Sequence, residues 1–326
     1  MGEFDLIARY FTRPVRRAAL GVGDDCALLA PAPGMQLAVS SDMLVQGRHF
    51  FADVDPERLG HKALAVNLSD LAACGARPLA FTLALSLPRV DEAWLAGFSR
   101  GLLALADAHS CELVGGDTTQ GPLNICITVF GEVPAGQALL RSGAQPGDDI
   151  YVSGSLGDAR LALEALQGHI TLPADVLAAA RLRLEQPTPR VALGQALRGV
   201  ASSALDVSDG LLGDLGHILR ASGTGACIDT SKTMNLIAAS AYSISSRGQI
   251  DTELLHQCTL AGGDDYELAF TAPVARRAAV AAAAQASGTS VTRIGRIEAE
   301  PGLRLVDAQG RPVVQRYASF DHFAAG

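Results

Sequence analysis

Five short segments of this chain place aspartate beside Gly or Ser, each where an apolar run meets a turn. The segments are Gly23-Asp24-Asp25, Ser41-Asp42, Gly116-Asp117, Asp206-Val207-Ser208-Asp209 and Gly263-Asp264-Asp265. Mg²⁺ needs hard oxygen ligands and commonly shares them with substrate phosphates, and glycine lets a phosphate come close to the backbone. The fold is constrained accordingly, because strands and helices must deliver carboxylates from distant parts of the sequence to one shared edge. The sequence therefore predicts a phosphate-handling enzyme with a magnesium site.

Each segment taken alone has a simpler interpretation. Gly and Asp are common in turns for backbone reasons, and an Asp or the Ser of the Asp206-Val207-Ser208-Asp209 segment could simply cap the helix that follows it. In the functional alternative, free N–H groups at that helix start attract an anion while Asp206 and Asp209 hold a metal ion. We favour the metal site because several independent aspartate segments occur together, whereas ordinary turns would use Asn and Pro more freely.

Length and composition indicate a globular protein of two domains. The chain has 326 residues, of which 48% are hydrophobic and 18% charged, so a disordered chain is excluded. No apolar run reaches the roughly 18 residues of a membrane span, and the N-terminus lacks the apolar stretch of a secretory signal. We therefore expect a cytoplasmic protein that does not associate with membranes. The net charge of -8 argues against a nucleic-acid partner, which would need a basic face.

Lysine is almost absent, with Lys62 and Lys232 the two that the sequence contains. No G-x-x-x-x-G-K-[ST] segment occurs, so a phosphate-binding loop of that kind is excluded. If the protein binds a triphosphate, metal ions and arginine must neutralise it. The six cysteines form no CxxC pair, so neither a zinc site nor a disulfide framework is indicated, and we interpret them as small core residues.

Apolar patterning predicts interleaved strands and helices, which is a mixed α/β (α+β) fold. In the first half, strands are expected at 36–41 (ending at Asp42), 81–87, 112–114 and 124–133, with helices at about 55–73 and 91–108. A stretch rich in Gly, Pro and Ala at 134–147 is the best boundary, and it gives domains of residues 1–135 and 136–326. In the second half, helices are expected at 158–166, 174–185, 189–199, 209–221 and 273–286, and strands at 149–153, 266–271, 291–297 and 303–306.

Polar residues on these elements are further site candidates. Asn67 and Asp70 share one face of an otherwise apolar helix, where they are either hydrogen-bonded within the core or aimed at a site. His49 follows the Asp42 segment, although a lone histidine is more often a surface or core residue. Arg141, in the boundary stretch, could be an ordinary loop charge or a bidentate phosphate ligand.

Taken together, several segments resemble the thiamine-monophosphate kinase family, part of the group that contains aminoimidazole-ribonucleotide synthetase and selenophosphate synthetase. In chain order they are GVGDDCALL, SSDMLVQGRHF, KALAVNLSDLAACGARP, GGDTTQGP, RSGAQPGD, DVSDGLLGDLGHI and GGDDYEL. The resemblance spans nearly the whole chain, from GEFDLIARYF at the start to FDHF near the end.

The resemblance implies an activity, a fold and an assembly. The expected reaction transfers the γ-phosphate of ATP directly to thiamine monophosphate, with several Mg²⁺ ions as cofactors, giving thiamine diphosphate and ADP. The expected fold is the two-domain fold of aminoimidazole-ribonucleotide synthetase. Its N-terminal sheet domain dimerises and binds metal and nucleotide, and its C-terminal α+β domain completes the active site. The expected assembly is a homodimer.

The resemblance also assigns site residues to positions of this chain. Metal positions fall on Asp24, Asp25, Ser40, Ser41, Asp42, Asp70, Asp117, Asp206 and Asp209. Nucleotide contacts fall on Gly116, Asp117, Arg141 and Ser208, and substrate contacts on His49, Asp264 and Tyr317. Two positions depart from the family pattern. Asp264 stands where Glu is usual, so a contact of the longer side chain is remade through water or lost, and Tyr317 stands where tryptophan also occurs.

Such chemistry depends on positioning and charge neutralisation, because a phosphate monoester oxygen is already anionic near pH 7. We therefore assign no general base and give His49 a role in binding the substrate phosphate. Three alternatives stay open. They are a sister activity through an acyl-phosphate or an ATP-activated amide, a nucleotide sensor that regulates a partner, and a metal phosphohydrolase with water as acceptor. The LVQGRHF and GGDDYEL segments favour the kinase, and the full aspartate set speaks against the sensor.

Overall fold

The computed structural model describes residues 2–237, 252–314 and 317 of the chain. The chain divides into two compact units. Unit 1 comprises Met1–Leu71 and Ala76–Ala138, and unit 2 comprises Ala72–Gly75 and Leu139–Gly326, as far as these residues are described. The FDHF segment near the end of the sequence lies outside the described residues.

Unit 1 is built on a four-stranded sheet with the strand order β1-β4-β2-β3. Its strands are β1 (Met35–Val45), β2 (Arg77–Leu87), β3 (Glu112–Gln120) and β4 (Asn124–Pro134). β4 pairs antiparallel with both β1 and β2, whereas β2 and β3 run parallel. β1 is therefore an edge strand, and its side chains alternate between the two faces of the sheet.

The helices that precede and follow these strands are α1 (Glu3–Tyr10), α2 (Pro56–Ala73) and α3 (Glu92–Ala108). The Asp55 carboxylate accepts hydrogen bonds from the backbone N–H groups of Glu57 and Arg58 at 2.9 and 3.2 Å, which caps α2. Asp91 caps α3 in the same way, and Phe98 on the apolar face of α3 is fully buried. The predictions of these two helices are confirmed.

Unit 2 contains a mixed seven-stranded sheet in the order β11-β10-β7-β9-β5-β8-β6. The strands are β5 (Asp149–Ser153), β6 (Ser203–Val207), β7 (Gly225–Asp229), β8 (Glu267–Ala272), β9 (Val291–Glu298), β10 (Gly302–Val306) and β11 (Pro312–Val313). The helices are α4 (Asp158–Leu166), α5 (Ala174–Glu185), α6 (Val191–Ala196), α7 (Leu211–Ser222), α8 (Thr230–Thr233), α9 (Thr252–Ala261) and α10 (Arg277–Ser287). Leu211, Leu215 and Ile218 of α7 are buried in one apolar core with Val207 of β6. This packing fixes the turn between β6 and α7.

The mixed α/β fold is confirmed, but the structure corrects two of the predicted turns. Asp42 lies inside β1, which continues to Val45 because β4 supplies a pairing partner along the whole strand. In the same way β3 continues through Gly116 and Asp117 to Gln120, since β2 pairs with it along that stretch. The predicted ends of these two strands are therefore wrong.

Several elements were not predicted, among them β6, β7 and α9. β6 is only five residues long and is buried along its whole length, so it shows no alternation of apolar and polar residues. β7 is equally short. The helix expected at 189–199 is also shorter than predicted, since α6 ends at Ala196.

The cysteines and lysines differ in how deeply they lie. Cys111 and Cys258 are buried, but Cys26 is exposed and the other three cysteines are half-buried, so the interpretation of all six as core residues is wrong. Lys62 in α2 is buried. Lys232 in α8 has a side chain that is 43% exposed, and its Nζ lies 3.2 Å from Asp229 Oδ2.

The long helices of the described chain are α2 and α3, with 18 and 17 residues. α2 carries charged residues along its length, from Glu57 to Asp70. None of the described helices combines the length and the apolar character that a bilayer span requires.

Candidate active site

In unit 1, α2 lies against β1 and brings three predicted metal positions together. The Ser40 hydroxyl donates a hydrogen bond to Asp70 Oδ2, and the backbone N–H of Asp42 donates to Asn67 Oδ1 at 3.1 Å. Ser40 and Asp42 are two residues apart in a strand, so their side chains share one face of the sheet. Asn67 and Asp70 of α2 thus both contact the segment around Asp42. We call Ser40, Asp42, Asn67 and Asp70 the β1–α2 group.

Ser41 lies on the opposite face of β1. Its Oγ donates to the Ile127 carbonyl oxygen at 3.1 Å and lies 3.0 Å from Thr128 Oγ1, both on β4. Successive residues of a strand point to opposite faces, so the Ser41 side chain is not part of the β1–α2 group.

His49 follows β1 and is oriented by it. The Nδ1 atom of His49 accepts a hydrogen bond from the backbone N–H of Val45 at 3.0 Å. A ring nitrogen that accepts carries no proton, so the neutral ring has its proton on Nε2. Nε2–H is a donor of the kind that binds a phosphate oxygen. The buried Lys62 ammonium lies 3.4 Å from the His49 carbonyl oxygen and places a positive charge beside this segment.

A cleft of about 680 Å³ in unit 1 gathers four further predicted positions. Its polar lining includes Asp24, Asp25, Gly116 and Asp117, and the three aspartates are exposed. Its apolar lining includes Phe4, Ile7, Ala8 and Phe11 of α1. The cleft thus combines carboxylates and glycine backbone with an apolar surface.

Gly116 occupies a position that only glycine fits. Its φ is +148°, and a Cβ atom there would lie 1.9 Å from the Leu83 carbonyl oxygen. The pairing register runs from Gly116 through Leu83 and Ile127 to Asp42 on the far edge of the sheet. Neighbouring strands are about 4.8 Å apart, so Asp42 and Gly116 are separated by roughly 14 Å.

The oxygen donors of unit 1 are suited to Mg²⁺ bound together with a phosphate. Across the described residues, three or more His, Cys, Asp or Glu side chains are nowhere close enough to form a metal cluster of their own. Mg²⁺ is usually held by one or two carboxylates and completes its shell with water and substrate phosphate oxygens. The β1–α2 group supplies Asp42 and Asp70, and the cleft supplies exposed aspartates. These donor sets fit a shared metal site and not an all-protein cage.

In unit 2, Asp206, Ser208 and Asp209 stand at the turn from β6 to α7. Asp206 is buried near the end of β6, whereas Asp209 is exposed. The residue at the N-cap of α7 is Gly210, which has φ +119° and no side-chain cap. The N-cap residue of α7 is therefore neither an Asp nor a Ser.

The carboxylate that holds this turn comes from inside α7. Asp214 Oδ2 accepts hydrogen bonds from the backbone N–H groups of Ser208, Asp209 and Gly210 at 3.0, 3.0 and 3.1 Å. Burial raises the pKa of the Asp214 carboxyl to about 6, although the three N–H donors oppose the shift. These three amides are already bonded to Asp214, so they are not free to bind an external anion.

The Gly263-Asp264-Asp265 segment is joined to this turn through its backbone. The N–H of Asp264 donates to the Ser208 carbonyl oxygen, and the N–H of Tyr266 donates to that of Val207, both at 2.8 Å. Asp264 and Tyr266 have φ values of +66° and +52°, which are uncommon for residues other than glycine and indicate local strain. The Tyr266 hydroxyl donates to Asp264 Oδ1 at 3.1 Å. The structure therefore brings Asp264 to Ser208.

Asp265 points into unit 2 and holds the same segment from inside. It is 3% exposed, and its two carboxylate oxygens lie 2.9 and 3.1 Å from the backbone nitrogen of Gly157, which donates to them. Burial raises the pKa of Asp265 well above its ordinary value, and the negative charge of Asp158 acts in the same direction. Asp265 therefore fixes the segment and leaves Asp264 as its half-buried carboxylate.

Arg141 lies near α7. His217 and Arg220 belong to α7 itself. The Ser222 hydroxyl lies 3.4 Å from the Arg141 carbonyl oxygen, and an Arg220 guanidinium nitrogen lies 3.0 Å from His217 Nδ1. Burial and then the positive charges of Arg141 and Arg220 lower the pKa of His217, whereas Asp209 raises it. Arg141 and Arg220 thus place positive charge near Asp209.

Tyr317 is half-buried against the apolar core of unit 2. Its ring centroid lies 6.0 Å from that of His256 on α9. The residues around it, 315–316 and 318–320, lie outside the described part of the chain. Its contact with substrate stays a prediction.

Comparison with known proteins places the whole chain in one family. The models for AIR synthase related protein match residues 23–133 (N-terminal domain) and 145–308 (C-terminal domain). A thiamine-monophosphate kinase from Salmonella typhimurium is 47% identical over 329 residues, covering 99% of this chain and 98% of the relative. The chain belongs to the thiamine-monophosphate kinase family.

Solved structures of thiamine-monophosphate kinases have the same fold. The enzyme from Stenotrophomonas maltophilia is 45% identical with a TM-score of 0.82, and the match covers 95% of this chain and 96% of the other. AaThiL complexed with AMPPCP and TMP is 29% identical with a TM-score of 0.76, and the match covers 90% and 89% of the two chains.

Two residues that shape this thiamine-monophosphate kinase site were not found from the sequence. Asp214 stands in the apolar segment LLGDLGHIL, and a lone acidic residue in such a segment was the available signal. Tyr266 gave no comparable signal, because its hydrogen bond to Asp264 depends on the unusual backbone angles of both residues.

Proposed function

We propose that this protein is an enzyme that transfers the γ-phosphate of ATP to thiamine monophosphate. Full-length similarity at 47% identity to a thiamine-monophosphate kinase carries the proposal, and AaThiL, which binds AMPPCP, an ATP analogue, together with TMP, supports it. A phosphate oxygen of thiamine monophosphate forms a bond to the γ-phosphorus while the bond from that phosphorus to the β,γ-bridging oxygen breaks. Thiamine diphosphate and ADP are the products, and no covalent phospho-enzyme forms.

We assign Mg²⁺ binding to hard oxygen donors in both units. The assigned residues are Asp24, Asp25, Ser40, Ser41, Asp42, Asp70, Asp117, Asp206 and Asp209. When bound, Mg²⁺ neutralises phosphate charge and lets two anionic reactants approach each other. The contact of Ser40 with Asp70 supports the assignment in unit 1, because it fixes a carboxylate beside Asp42. The side chain of Ser41 faces away from the β1–α2 group and is bonded to β4, so the assignment of Ser41 rests on the family resemblance alone.

The acceptor side of the reaction needs binding more than it needs a base. The acceptor phosphate is largely ionised near pH 7, because its second pKa is about 6. His49 is suited to hold this phosphate, since its Nδ1 accepts from Val45 and its proton therefore lies on Nε2. Asp264 and Tyr317 are the other proposed substrate contacts.

The proposed nucleotide contacts are Gly116 and Asp117 in unit 1 and Arg141 and Ser208 in unit 2. In the cleft of unit 1, the glycine backbone at Gly116 lets a phosphate come close, and the apolar side chains of α1 suit the flat face of a base. Phe4 is 83% exposed, which leaves its ring available to such a base. In unit 2, the Arg141 guanidinium can bind a phosphate through two parallel hydrogen bonds.

We propose that the two parts of the sequence have different roles in the active site. Residues 1–135 bind metal and nucleotide and carry the dimer contact, and residues 136–326 supply the donors that complete the site. The positions of the assigned residues support this division, since His49 and the β1–α2 group lie in unit 1, and Arg141, Ser208 and Asp264 lie in unit 2.

We propose that the protein is a homodimer that associates through the sheet of unit 1. β1 is an edge strand, and Leu37, Val39 and Met43 on one of its faces are 45%, 54% and 52% exposed. Exposed apolar residues in a row on an edge strand favour association with another copy. Val39→Lys should yield monomers in analytical ultracentrifugation, and a monomeric parent protein would contradict the proposal.

We also propose that the protein acts in the cytoplasm. All six cysteines are free thiols, which suits a reducing compartment. Fractionation of cells that make a tagged full-length protein would place it with cytoplasmic or with other markers.

The test of the activity is product analysis. Purified protein is incubated with ATP, Mg²⁺ and thiamine monophosphate, and the thiamine species and nucleotides are separated by chromatography. We expect equal amounts of thiamine diphosphate and ADP. Phosphate release at the same rate without thiamine monophosphate would establish a phosphohydrolase, and nucleotide binding without any product would establish a sensor.

A further inference from the structure

Asp214 is a buried carboxylate that contacts the candidate site without being one of its assigned ligands. It is the fourth residue of α7 and is 6% exposed. One oxygen, Oδ2, accepts all three hydrogen bonds from the consecutive amides of Ser208, Asp209 and Gly210. Asp214 therefore reaches back from the helix and binds the turn that precedes it.

This arrangement differs from an ordinary helix start. The first backbone N–H groups of a helix normally donate to the side chain of a cap residue or to an external anion such as a phosphate. Here the N-cap is Gly210, which has no side chain to offer, and the internal Asp214 carboxylate takes the place of the external anion. The bonds to Asp214 thus fix backbone geometry at the residues that carry Ser208 and Asp209.

The other side of the same turn is also fixed. The carbonyl oxygens of Val207 and Ser208 accept hydrogen bonds from Tyr266 and Asp264. A Cβ atom on Gly263 would lie 2.5 Å from the Ser208 carbonyl oxygen, so the two segments are in close contact. The turn is held by a carboxylate on its amide side and by the backbone of a second segment on its carbonyl side.

We propose that Asp214 is a positioning residue for the phosphoryl transfer: it fixes the Ser208-Asp209-Gly210 backbone so that Asp206 and Asp209 present their carboxylates in one geometry. The proposal rests on the proposed function and extends it to a residue that touches neither metal nor substrate. Replacement of a residue that orients metal ligands typically lowers metal affinity or rate by about 10- to 100-fold. Such residues therefore matter for activity although they do not bind the metal.

Two substitutions separate the acceptor role of Asp214 from its charge. Asp214→Asn keeps a carbonyl oxygen that can occupy the Oδ2 position and accept the three N–H groups, but it removes the negative charge. Asp214→Ala removes both. A positioning role predicts that Asn restores most of what Ala loses, whereas a direct metal ligand or an essential charge predicts equal damage in both variants.

The experiment measures kcat, KM for each substrate and the Mg²⁺ concentration that gives half-maximal rate. For Asp214→Ala we expect that Mg²⁺ concentration to rise about 10- to 100-fold and kcat to fall, whereas Asp214→Asn stays within about threefold of the parent. The control is Asp175→Ala, which removes an exposed carboxylate from the first turn of α5 and should stay within about twofold. Circular dichroism and melting curves of all variants show which of them are folded.

A second readout keeps the test valid if Asp214→Ala does not fold or if the proposed reaction is not found. Binding of AMPPCP with Mg²⁺ is measured by calorimetry for the parent, Asp214→Asn and Asp209→Asn. Positioning predicts near-parental affinity for Asp214→Asn and a clear loss for Asp209→Asn. Equal loss in both overturns the proposal, as does parental Mg²⁺ dependence in a folded Asp214→Ala. Absence of thiamine diphosphate in the parent would overturn the proposed function alone.

Discussion

Two of the aspartate segments are held in the fold in very different ways. The loop with Asp24 and Asp25 in unit 1 has isolated bridges at Leu20 and Val22 and a bond from the Asp25 N–H to Asp24 Oδ1 at 2.8 Å. Both aspartates are exposed, and a Cβ atom on Gly23 would meet nothing within 4 Å.

The turn before α7 in unit 2 is the opposite case. Its amides are bonded to Asp214, and its carbonyl oxygens are bonded to the segment of Asp264 and Tyr266. A Cβ atom on Gly210 would lie 2.8 Å from the carbonyl carbon of Ala261, so the backbone has no room to shift.

The difference indicates that the two segments would contribute to the proposed phosphate site in different ways. The turn is held by bonds that need no ligand, whereas the loop has few such bonds, and we expect ligand binding to order it further. Ordering a free backbone costs about 1–2 kcal/mol per residue. We expect this cost to lower the affinity for a ligand that orders the loop, whereas the turn, which is already ordered, adds no such cost. We expect changes in the turn to affect the rate and changes in the loop to be tolerated better.

The largest expected effect is the loss of a fixed carboxylate. Asp209→Asn and Asp42→Asn should each lower kcat/KM by about 100-fold or more, because the proposed mechanism needs their charge at prearranged positions near the reacting phosphates. Asp24→Asn should cost less, since Asp25 is adjacent in an open loop. Steady-state kinetics at saturating Mg²⁺ check this, with Asp175→Asn as the matched control. Parental turnover in Asp209→Asn or Asp42→Asn would refute their metal role.

The next effect is steric and compares two glycines. Gly263→Ala puts a methyl group 2.5 Å from the Ser208 carbonyl oxygen, so the paired segments must move apart. We expect a loss of about 1–3 kcal/mol in the free energy of unfolding, together with lower activity.

Gly23→Ala is the comparison for that variant. It has open space around it, but its φ of +119° is a conformation that L side chains rarely adopt and that costs about 1–3 kcal/mol. Because the open loop has room to relax part of this strain, we expect a loss in the free energy of unfolding at the lower end of that range, about 1 kcal/mol. Urea denaturation of both proteins measures the two values. Equal losses would contradict the contrast between the packed turn and the open loop.

Hydrogen exchange should show the same contrast without any substitution. The amides of Ser208, Asp209 and Gly210 are buried in bonds to Asp214 and should exchange slowly before ligand is added. The amides at residues 23–25 should exchange fast and slow down when AMPPCP and Mg²⁺ bind. Mass spectrometry of peptides from the two segments reports both rates. Equal protection of both segments in the ligand-free protein would contradict the difference between the fixed turn and the open loop.

The smallest effect concerns the orientation of Asp264. Tyr266→Phe removes the hydroxyl that donates to Asp264 Oδ1 and leaves the ring in place. A single hydrogen bond is worth about 0.5–1.5 kcal/mol, so KM for thiamine monophosphate should rise by about two- to tenfold. We expect kcat and KM for ATP to stay near the parental values. A change confined to the KM for ATP would assign Tyr266 to the nucleotide instead.

The long helices and the types of chemical group in the site could be predicted from the sequence. α2 and α3 were predictable because each begins at an aspartate cap, and because α2 continues as a long, mostly apolar segment and α3 shows helical periodicity. Strand ends were not predictable from the chain alone, because β1 and β3 extend as far as β4 and β2 pair with them. The short strand β6 was not predicted, because a strand that is buried on both faces shows no alternation of apolar and polar residues.

The candidate site divides in the same way. Asp42, Asp70 and Asp209 were predictable as chemical types, since hard oxygen donors recur in the sequence. Ser40 and Ser41 point to opposite faces in any strand, but it is tertiary packing that turns Ser40 toward Asp70 of α2. The bonds from the turn to Asp214 likewise depend on how α7 folds back on the residues before it. These relations are set by tertiary structure, and no local pattern encodes them.

The scarcity of lysine has a consequence for handling the protein. Amine-reactive dyes and coupling surfaces attack accessible lysine side chains and the α-amino group, and they leave arginine untouched. Because Lys62 is buried and Lys232 is 43% exposed, such reagents should modify one side chain, in α8. A fluorophore or an immobilised sensor surface would then be attached to each molecule at Lys232 or at the α-amino group, and therefore in few orientations, without engineered attachment points.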